Sequence, residues 1–243
     1  MIGFVPQYYG WLGNQMFQYA CVKALSVRSG VKCSFPEKEP NLHSIFKLNS
    51  DKLFIPEFGQ PALYREPQFT YNEIPANIPD LILEGYFQSE KYFKDLENII
   101  REEFSFRRSP VREVPKNTCS IHVRRNDYLD LKDHHPLCSM DYYLKAMSLV
   151  PSNNYMVFSD DPVWCMENFK QSNVEVVSGN TADEDLQLMT MCDNHIIANS
   201  SFSWWGSWLG HNESKKVIAP SRWFGPAKKF NTSDIYCPGW VII

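Results

Sequence analysis

Residues 119–129 read CSIHVRRNDYL, and this stretch decides how the rest of the chain is interpreted. Residues 120–123 form a short run with two β-branched side chains between polar flanks, the pattern of a buried strand in an α/β sheet. The run ends directly in Arg124 and Arg125. Ligands of open α/β sheets bind beyond the carboxyl ends of the strands, and guanidinium groups bind phosphate or carboxylate oxygens two at a time. The stretch therefore predicts a diphosphate site, with ordinary surface salt bridges as the alternative.

A second arginine pair marks a different kind of segment. Arg107 and Arg108 follow no predicted strand, and they open residues 107–116, which are polar and contain two prolines. This composition is typical of a linker between two parts of a chain. We therefore expect two domains, residues 1–110 and residues 111–243.

The second half of the chain alternates between short apolar runs and amphipathic segments. Strands are predicted at residues 120–123, 155–158, 174–177, 195–198 and 217–219, and helices at residues 141–149, 162–169, 183–191 and 203–209. Alternation at this spacing predicts a parallel sheet covered by helices. The last of these helices carries three tryptophans, which we expect to pack in the core.

The first half of the chain opens in a similar way. A strand is predicted at residues 2–5, followed by a glycine-containing loop up to residue 15 and a helix at residues 16–28. Residues 35–79 are rich in proline, asparagine and aromatics, and they predict irregular structure. A helix with one apolar face is predicted at residues 92–103. The fold class expected for the whole chain is therefore α/β.

Length and composition restrict the class of protein. The chain has 243 residues, of which 44% are hydrophobic and 21% charged, as in ordinary soluble globular proteins. A formal charge of -4 without a long Lys/Arg run argues against a nucleic-acid partner. Seven cysteines without zinc-type spacing predict free thiols in a reducing compartment and no metal site. With no signal-like or membrane-spanning segment in the sequence, we expect a cytoplasmic protein, and a peripheral membrane contact is compatible with this.

Two further stretches predict contacts with an anion. Residues 199–203, NSSFS, place Ser200 and Ser201 between a predicted strand and a helix, where hydroxyl and N–H groups suit a phosphate. Residues 10–15, GWLGNQ, place the amide of Asn14 at a helix start, with an ordinary capped loop as the alternative. The chain has neither GxxxxGK nor GxGxxG, which disfavours a nucleoside-triphosphate hydrolase or a dinucleotide enzyme. The pattern favours a nucleoside diphosphate leaving group.

Seven motifs in order carry a resemblance to a known family. They are LGNQMFQYA at residues 12–20, GYFQSEKYF at 85–93, HVRRNDY at 122–128, CSMDYY at 138–143, FSDD at 158–161, IANSSFSWWG at 197–206 and VIAPSRWF at 217–224. Each motif alone is modest, but their order along nearly the whole chain is specific. The sequence resembles glycosyltransferase family 11, the α-1,2-fucosyltransferases.

The resemblance implies a fold and a reaction. The implied fold is α/β of the GT-B type, two Rossmann-like halves with the active cleft between them. Residues 1–110 would form the acceptor-side domain and residues 111–243 the GDP-sugar donor-binding domain. GDP-fucose would be the donor and a galactose-containing glycan the acceptor, with inversion at the sugar carbon and without a metal or other cofactor. A catalytically silent GDP-sugar or glycan-binding homologue and a transferase of another GDP-linked sugar remain open alternatives.

The resemblance also implies roles for individual residues. Arg124 would grip the β-phosphate, and Arg125 would assist. Further donor-binding residues are implied in both halves of the chain: Asn14, His122, Asp185, Ser200 and Ser201. Of these, His122 and Asp185 would lie near guanine, and Ser201 would bind phosphate.

The sequence does not single out a proton acceptor for the attacking hydroxyl. Asp127, Asp130, Asp133 and His135 all follow the arginine pair, and catalytic roles are expected for Asp127 and His135 beside Arg124. If bond breaking runs well ahead of attack, a phosphate oxygen takes the proton instead. A different role for Asp127 is to orient Arg124, because a buried guanidinium requires a carboxylate partner.

Three features depart from the family pattern. Trp11 occupies a position that is more often glycine, so the loop must take another path or place an indole near the acceptor. Asn126 also replaces a common glycine, and asparagine is among the residues that best tolerate a positive φ. Residues 35–79 form a shorter stretch than is usual in the family, which leaves the acceptor preference open.

Overall fold

The computed structural model describes residues 4–35, 42–49, 61–75, 78 and 80–243. The chain folds into two compact units. The first comprises Met1–Ser109 together with Asn231–Cys237, and the second comprises Pro110–Phe230 together with Pro238–Ile243. A short segment near the C-terminus therefore packs with the first unit, a long-range contact for which the sequence has no signal.

The first unit contains a three-stranded parallel sheet in the order β1-β3-β2. Its strands are β1 (Phe4–Gln7), β2 (Ala62–Arg65) and β3 (Leu81–Glu84). Its helices are α1 (Leu12–Ser29), α2 (Leu42–Ile45) and α3 (Glu97–Glu103), with short 3-10 turns at Glu90–Tyr92, Lys94–Leu96 and Ser233–Ile235. Strand, helix and strand connected in parallel make this unit an α/β fold.

Several boundaries in the first unit differ from the sequence-based predictions. α1 begins at Leu12 rather than at residue 16, because the backbone N–H groups of Asn14 and Gln15 already donate to Trp11 O. The predicted helix at residues 92–103 is α-helical only from Glu97, after two 3-10 turns.

The predicted irregular stretch at residues 35–79 contains β2, an edge strand whose mostly exposed residues lack the apolar alternation that predicts strands. Parts of that stretch, and residues 2 and 3 of the first predicted strand, lie outside the described residues.

The second unit contains a six-stranded parallel sheet in the order β6-β5-β4-β7-β8-β9. Its strands are β4 (Thr118–Val123), β5 (Asn154–Ser159), β6 (Val174–Val176), β7 (Asn194–Ile196), β8 (Val217–Ala219) and β9 (Val241–Ile242). Its helices are α4 (Asn126–Asp130), α5 (Met140–Leu149), α6 (Pro162–Asn168), α7 (Ala182–Thr190) and α8 (Ser201–Leu209). The predicted parallel α/β architecture is confirmed.

β4 is central in this sheet because all six of its residues are buried and it pairs with both β5 and β7. Ile121 and Val123 belong to an apolar core that also includes Tyr143 of α5 and Cys165 of α6. The carboxyl ends of β4, β5, β7 and β8 lie side by side along one edge of the sheet. Residues that follow these four strands are therefore brought together from distant parts of the sequence.

Two details of the second unit bear on this edge. α4 was not predicted, and Asn126 begins this helix instead of occupying a turn with positive φ. α8 begins at Ser201, two residues earlier than predicted, so Ser200 is its N-cap residue and Ser201 its first residue.

All seven cysteines lie among the described residues as free thiols, as predicted. Among the described residues, no helix has the length and hydropathy that a bilayer crossing requires.

Candidate active site

Arg124 leaves the carboxyl end of β4 between two carboxylates. Its Nη2 lies 2.7 Å from Asp127 Oδ1, and its Nη1 lies 3.0 Å from Asp160 Oδ2. Its guanidinium carbon also lies 5.5 Å from the ring centroid of Tyr128. The two carboxylates differ in exposure, since the Asp127 side chain is 49% exposed and the Asp160 side chain only 17%. Arg124 is thus held by a mostly buried carboxylate on one side and by an exposed one on the other.

Arg125 points to a different environment from Arg124. Its Nε lies 3.0 Å from Asp161 Oδ2, and its guanidinium lies 4.0 Å from the ring centroid of Trp164. Asp161 also caps α6 by accepting the backbone N–H of Trp164 (3.1 Å). A cation stacked on an indole and paired with a capping carboxylate is fixed in place. Arg125 therefore fastens the end of β4 to the start of α6.

Asp160, at the end of β5, organises the turn that carries both arginines. Its Oδ1 accepts the backbone N–H of Arg125 (2.9 Å), and its Oδ2 accepts that of Asn126 (3.2 Å). Burial raises the pKa of Asp160, whereas Arg124 and these two N–H groups lower it. The FSDD motif at residues 158–161 thus supplies a carboxylate to each arginine, a pairing that adjacency in sequence does not reveal.

Ser200 and Ser201 follow β7, the strand beside β4. Ser200 is buried, and Ser201 is the first residue of α8. The first N–H groups of a helix have no partner within the helix, and with its dipole they favour an anion. The predicted packing role of the tryptophans is confirmed, since Trp204, Trp205 and Trp208 are buried and contact one another.

Asn199 joins this serine turn to two other loops. Its Nδ2 donates to Pro136 O (3.1 Å) and to Trp223 O (3.0 Å), and its own backbone O accepts the hydroxyl of Tyr128 (3.1 Å). Because Arg124 lies over the Tyr128 ring, the basic turn after β4 and the serine turn after β7 share one neighbour. The bonding role of Asn199 has no local sequence signal, because its partners lie far away in the chain.

His122 and Asp185 are titratable groups with strongly shifted pKa values. Burial, together with nearby Arg124, lowers the pKa of His122 to about 3. The His122 ring lies within β4, 5.4 Å from the ring of Phe202. Burial raises the pKa of Asp185, in the first turn of α7, to about 6, although Asn180 donates to its Oδ1 at 3.0 Å. A neutral imidazole and a half-buried carboxylate suit a heterocyclic base with N–H donors, but their assignment to guanine stays a prediction.

His135 is held between aromatic rings. Its ring stacks on Tyr128 at 4.6 Å and lies 5.6 Å from Phe224, and its Nε2 lies 3.3 Å from Lys228 Nζ. Burial and the Lys228 ammonium lower the pKa of His135 to about 4. An imidazole with such a pKa is a weak proton acceptor near neutral pH. Among the other candidate bases, Asp127 pairs with Arg124, whereas Asp130 and Asp133 are exposed.

Asn14 belongs to the first unit, in the first turn of α1. Its Oδ1 accepts Gln88 Nε2 at 2.7 Å. Gly10 has φ of +69°, and a Cβ there would lie 2.1 Å from Asn14 Nδ2, so the loop requires glycine at this position. Gln18 fixes the same loop by accepting the N–H of Tyr9 (2.9 Å) and donating to Tyr9 O (3.2 Å). Trp11, in this rigid loop, is 75% exposed.

The carboxyl edge of the first sheet is lined by carboxylates and a phenol. Glu84 accepts the hydroxyl of Tyr9 (2.8 Å) and pairs with Arg65 (2.6 Å). Glu66 accepts the backbone N–H groups of Tyr86 (2.7 Å) and Phe87 (3.1 Å), while burial raises its pKa. None of these residues was predicted as a site residue, and Arg65 and Glu66 belong to or directly follow β2, a strand that the sequence did not reveal. Within the described residues, no three His, Cys, Asp or Glu side chains come together as a group that could hold a metal ion.

Two solved fucosyltransferase structures have a similar fold. NodZ α-1,6-fucosyltransferase soaked with GDP-fucose matches with a TM-score of 0.54 at 14% identity, over 86% of this chain and 93% of that chain. POFUT1 in complex with GDP matches with a TM-score of 0.54 at 12% identity, over 89% of this chain and 98% of that chain. The chain thus has the α/β fold of GT-B glycosyltransferases, as predicted.

Sequence comparison then defines the family. The model of glycosyl transferase family 11 matches residues 4–243. The chain is 33% identical to an α-1,2-colitosyltransferase of Escherichia coli, over 96% of this chain and 96% of that protein. It is 26% identical to galactoside α-(1,2)-fucosyltransferase 1 of Rattus norvegicus, over 96% of this chain and 70% of that protein. This chain belongs to glycosyltransferase family 11, which confirms the resemblance drawn from its motifs.

Proposed function

We propose that this protein transfers L-fucose from GDP-β-L-fucose to the 2-hydroxyl of a galactose-type acceptor glycan, with inversion and without a metal or other cofactor. The observation that carries the proposal is Arg124, held at the carboxyl end of β4 by Asp160 and Asp127. The similarity of nearly the whole chain to the rat galactoside α-(1,2)-fucosyltransferase supports the choice of sugar and linkage.

The proposed mechanism stabilises the leaving diphosphate. Asp160 keeps Nη1 of Arg124 in place, while the β-phosphate displaces the more exposed Asp127 from Nη2. The N–H groups at the start of α8 bind the same diphosphate beside Ser200 and Ser201. Negative charge on the β-phosphate grows as the bond to the sugar breaks, so these preorganised donors bind the transition state more strongly than the substrate.

The acceptor hydroxyl must lose a proton during transfer. Among the four candidate side chains, we propose Asp127, because it is the one that contacts Arg124 and would be released when phosphate binds. The alternative acceptor is a phosphate oxygen of the departing GDP. The weakly basic His135 is assigned a supporting role instead.

A second candidate donor is GDP-colitose. The relative with 33% identity is a colitosyltransferase, and colitose is L-fucose without its 3-hydroxyl. A site that hydrogen-bonds a hydroxyl rejects an analogue lacking it by about 10⁴-fold or more, whereas an apolar pocket discriminates much less. Direct competition between the two donors therefore tests which sugar the site is built for.

The deciding experiment incubates purified protein and lactose with each donor in the presence of a chelator, and follows GDP release and product linkage. If the product is α-1,2-fucosylated and forms as fast with the chelator as without it, the result supports the donor, the linkage and metal independence together. Preference for GDP-colitose would replace the fucose assignment, and donor hydrolysis alone would remove the acceptor assignment. GDP binding without turnover of either donor would favour a catalytically silent homologue.

A further inference from the structure

We propose that Lys228 is an additional cationic ligand of the donor diphosphate, together with Arg124. The proposal rests on the nucleotide-sugar donor proposed above and adds a residue that no motif of the sequence identified.

The environment of Lys228 is unusual for a lysine. Its side chain is half-buried, with Nζ 3.3 Å from His135 Nε2 and 5.0 Å from the ring centroid of Phe224. No carboxylate of the described residues forms an ion pair with it. Partial burial lowers its pKa, because loss of water disfavours the ammonium. A bound anion would supply the charge partner that this half-buried ammonium does not have among the carboxylates of the described residues.

The loop that carries Lys228 is clamped in place. The backbone N–H of Gly225 donates to His134 O and that of Ala227 donates to Asp133 O, both at 2.9 Å. A Cβ at Gly225 would lie 2.4 Å from Asp133 O, so only glycine permits this approach. The clamp presents Lys228 against His135, whose lowered pKa keeps the imidazole neutral beside the ammonium.

The sheet order brings the loop of Lys228, the serine turn and the loop of Arg124 to the same edge of the second sheet. Arg124 follows β4, Ser200 and Ser201 follow β7, and the Lys228 loop follows β8, three strands adjacent in that order. Asn199 binds both Pro136 O and Trp223 O, and so draws the loops bearing His135 and Lys228 to the start of α8. An anion at this helix start would lie beside two loops that each carry a cation, an arrangement that suits two linked phosphates better than a single charge.

The neighbouring lysine provides a matched control. Lys229 is exposed and lies in the same loop, so Lys229→Met removes an equal charge from a position outside the proposed site. We would measure GDP binding by calorimetry for wild type, Lys228→Met, Lys228→Arg and Lys229→Met, and check folding by thermal unfolding. We expect Lys228→Met to raise the Kd for GDP by about tenfold or more, with Lys228→Arg intermediate. Lys229→Met should change the Kd by less than about twofold.

The proposal is overturned if folded Lys228→Met binds GDP as wild type does, or if it changes only the KM for lactose. Absence of GDP binding by wild type would also overturn it. Failure of the proposed function is a separate result, because a wild type that binds GDP but transfers no fucose would still show the loss on Lys228→Met. Equal losses for both lysine variants would indicate a general charge effect and would also contradict the proposal.

Discussion

The carboxyl edges of the two sheets differ in which charged groups follow their strands. In the first unit, Glu84 and Glu66 accept hydrogen bonds from a phenol and from backbone N–H groups. In the second unit, the corresponding edge presents Arg124, Lys228 and the start of α8. Both edges contain ion pairs, but the cations of the second edge stand beside the N–H groups of a helix start, whereas the carboxylates of the first edge bind a phenol and loop N–H groups. The acceptor role of the first unit and the donor role of the second stay predictions.

Replacing Arg124 should produce the largest effect on activity. We expect Arg124→Ala to lower kcat/KM for GDP-fucose by about 10³-fold or more, because donors aimed at developing charge contribute several kcal/mol. Arg101→Ala is the control, since Arg101 belongs to α3 of the first unit and pairs with Glu97 of the same helix (2.9 Å). If Arg124→Ala kept near wild-type turnover at saturating donor, the cation at the edge of the second sheet would have no role in catalysis.

A change of pH should test the predicted contact between Asp185 and the guanine base of the donor. With its pKa raised to about 6, Asp185 becomes protonated in mildly acidic solution and cannot accept two N–H groups of guanine. We expect the Kd for GDP-fucose to rise about tenfold between pH 7.5 and pH 5, and Asp185→Asn to bind weakly at both pH values. Binding that is independent of pH in the wild type would remove Asp185 from the nucleotide site.

The stability of the nucleotide-free protein should depend on pH in the opposite direction, falling as the affinity for the nucleotide rises. The folded state binds the Asp185 proton more tightly than the unfolded state, so its contribution to the free energy of unfolding falls as pH rises from about 4 to about 6. Urea unfolding of wild type and Asp185→Asn across this range should show the decline only in the wild type. A decline of the same size in both proteins would assign it to other groups.

Replacing His135 should separate general-base catalysis from support of Lys228. We expect His135→Phe to lower kcat by less than about tenfold, because the ring continues to stack on Tyr128 and the imidazole is a weak base. Loss of a true general base would cost about 10²-fold to 10⁴-fold. His134→Phe, at the exposed neighbouring position, is the control. A loss in the larger range, with GDP binding unchanged, would restore His135 as the base.

The smallest expected effect concerns the first edge. Trp11 is almost fully exposed, so Trp11→Ala should change the free energy of unfolding by less than about 0.5 kcal/mol. The buried Trp205 is the contrast, with an expected loss of about 3 to 5 kcal/mol on replacement by alanine. We also expect Trp11→Ala to raise the KM for lactose while leaving GDP binding unchanged. A destabilisation comparable to that of Trp205→Ala would show that the indole has a packing role.

The sequence predicted those features that depend on local pattern. The buried run of β4, the alternation of strands with helices and the serine start of α8 all depend on neighbouring residues, so periodicity reveals them. Arg124 was found because it directly follows a recognisable strand. The exposed edge strand β2 was missed, since packing at a sheet edge leaves no apolar alternation.

The partners of the candidate site residues could not be predicted in the same way. Asp160 lies far along the chain from Arg124, and Lys228 lies still farther from His135, so only the folded sheet brings each pair together. The sequence allowed Asp127 either to act as a base or to orient Arg124, and the structure places it in contact with that arginine. The roles of Asn14, His122 and Asp185 in donor binding stay predictions.

The indoles behind the serine turn have an optical consequence. The ring of Trp204 lies 5.0 Å from Trp205, 6.0 Å from Trp208 and 5.8 Å from Trp240, and its backbone N–H donates to Ser200 O at 3.0 Å. Indoles this close couple their electronic transitions, and such signals in near-ultraviolet circular dichroism depend on fixed packing. The chain therefore contains an intrinsic spectroscopic reporter at the start of α8, and we expect the nucleotide binding proposed there to change its near-ultraviolet signal without any added label.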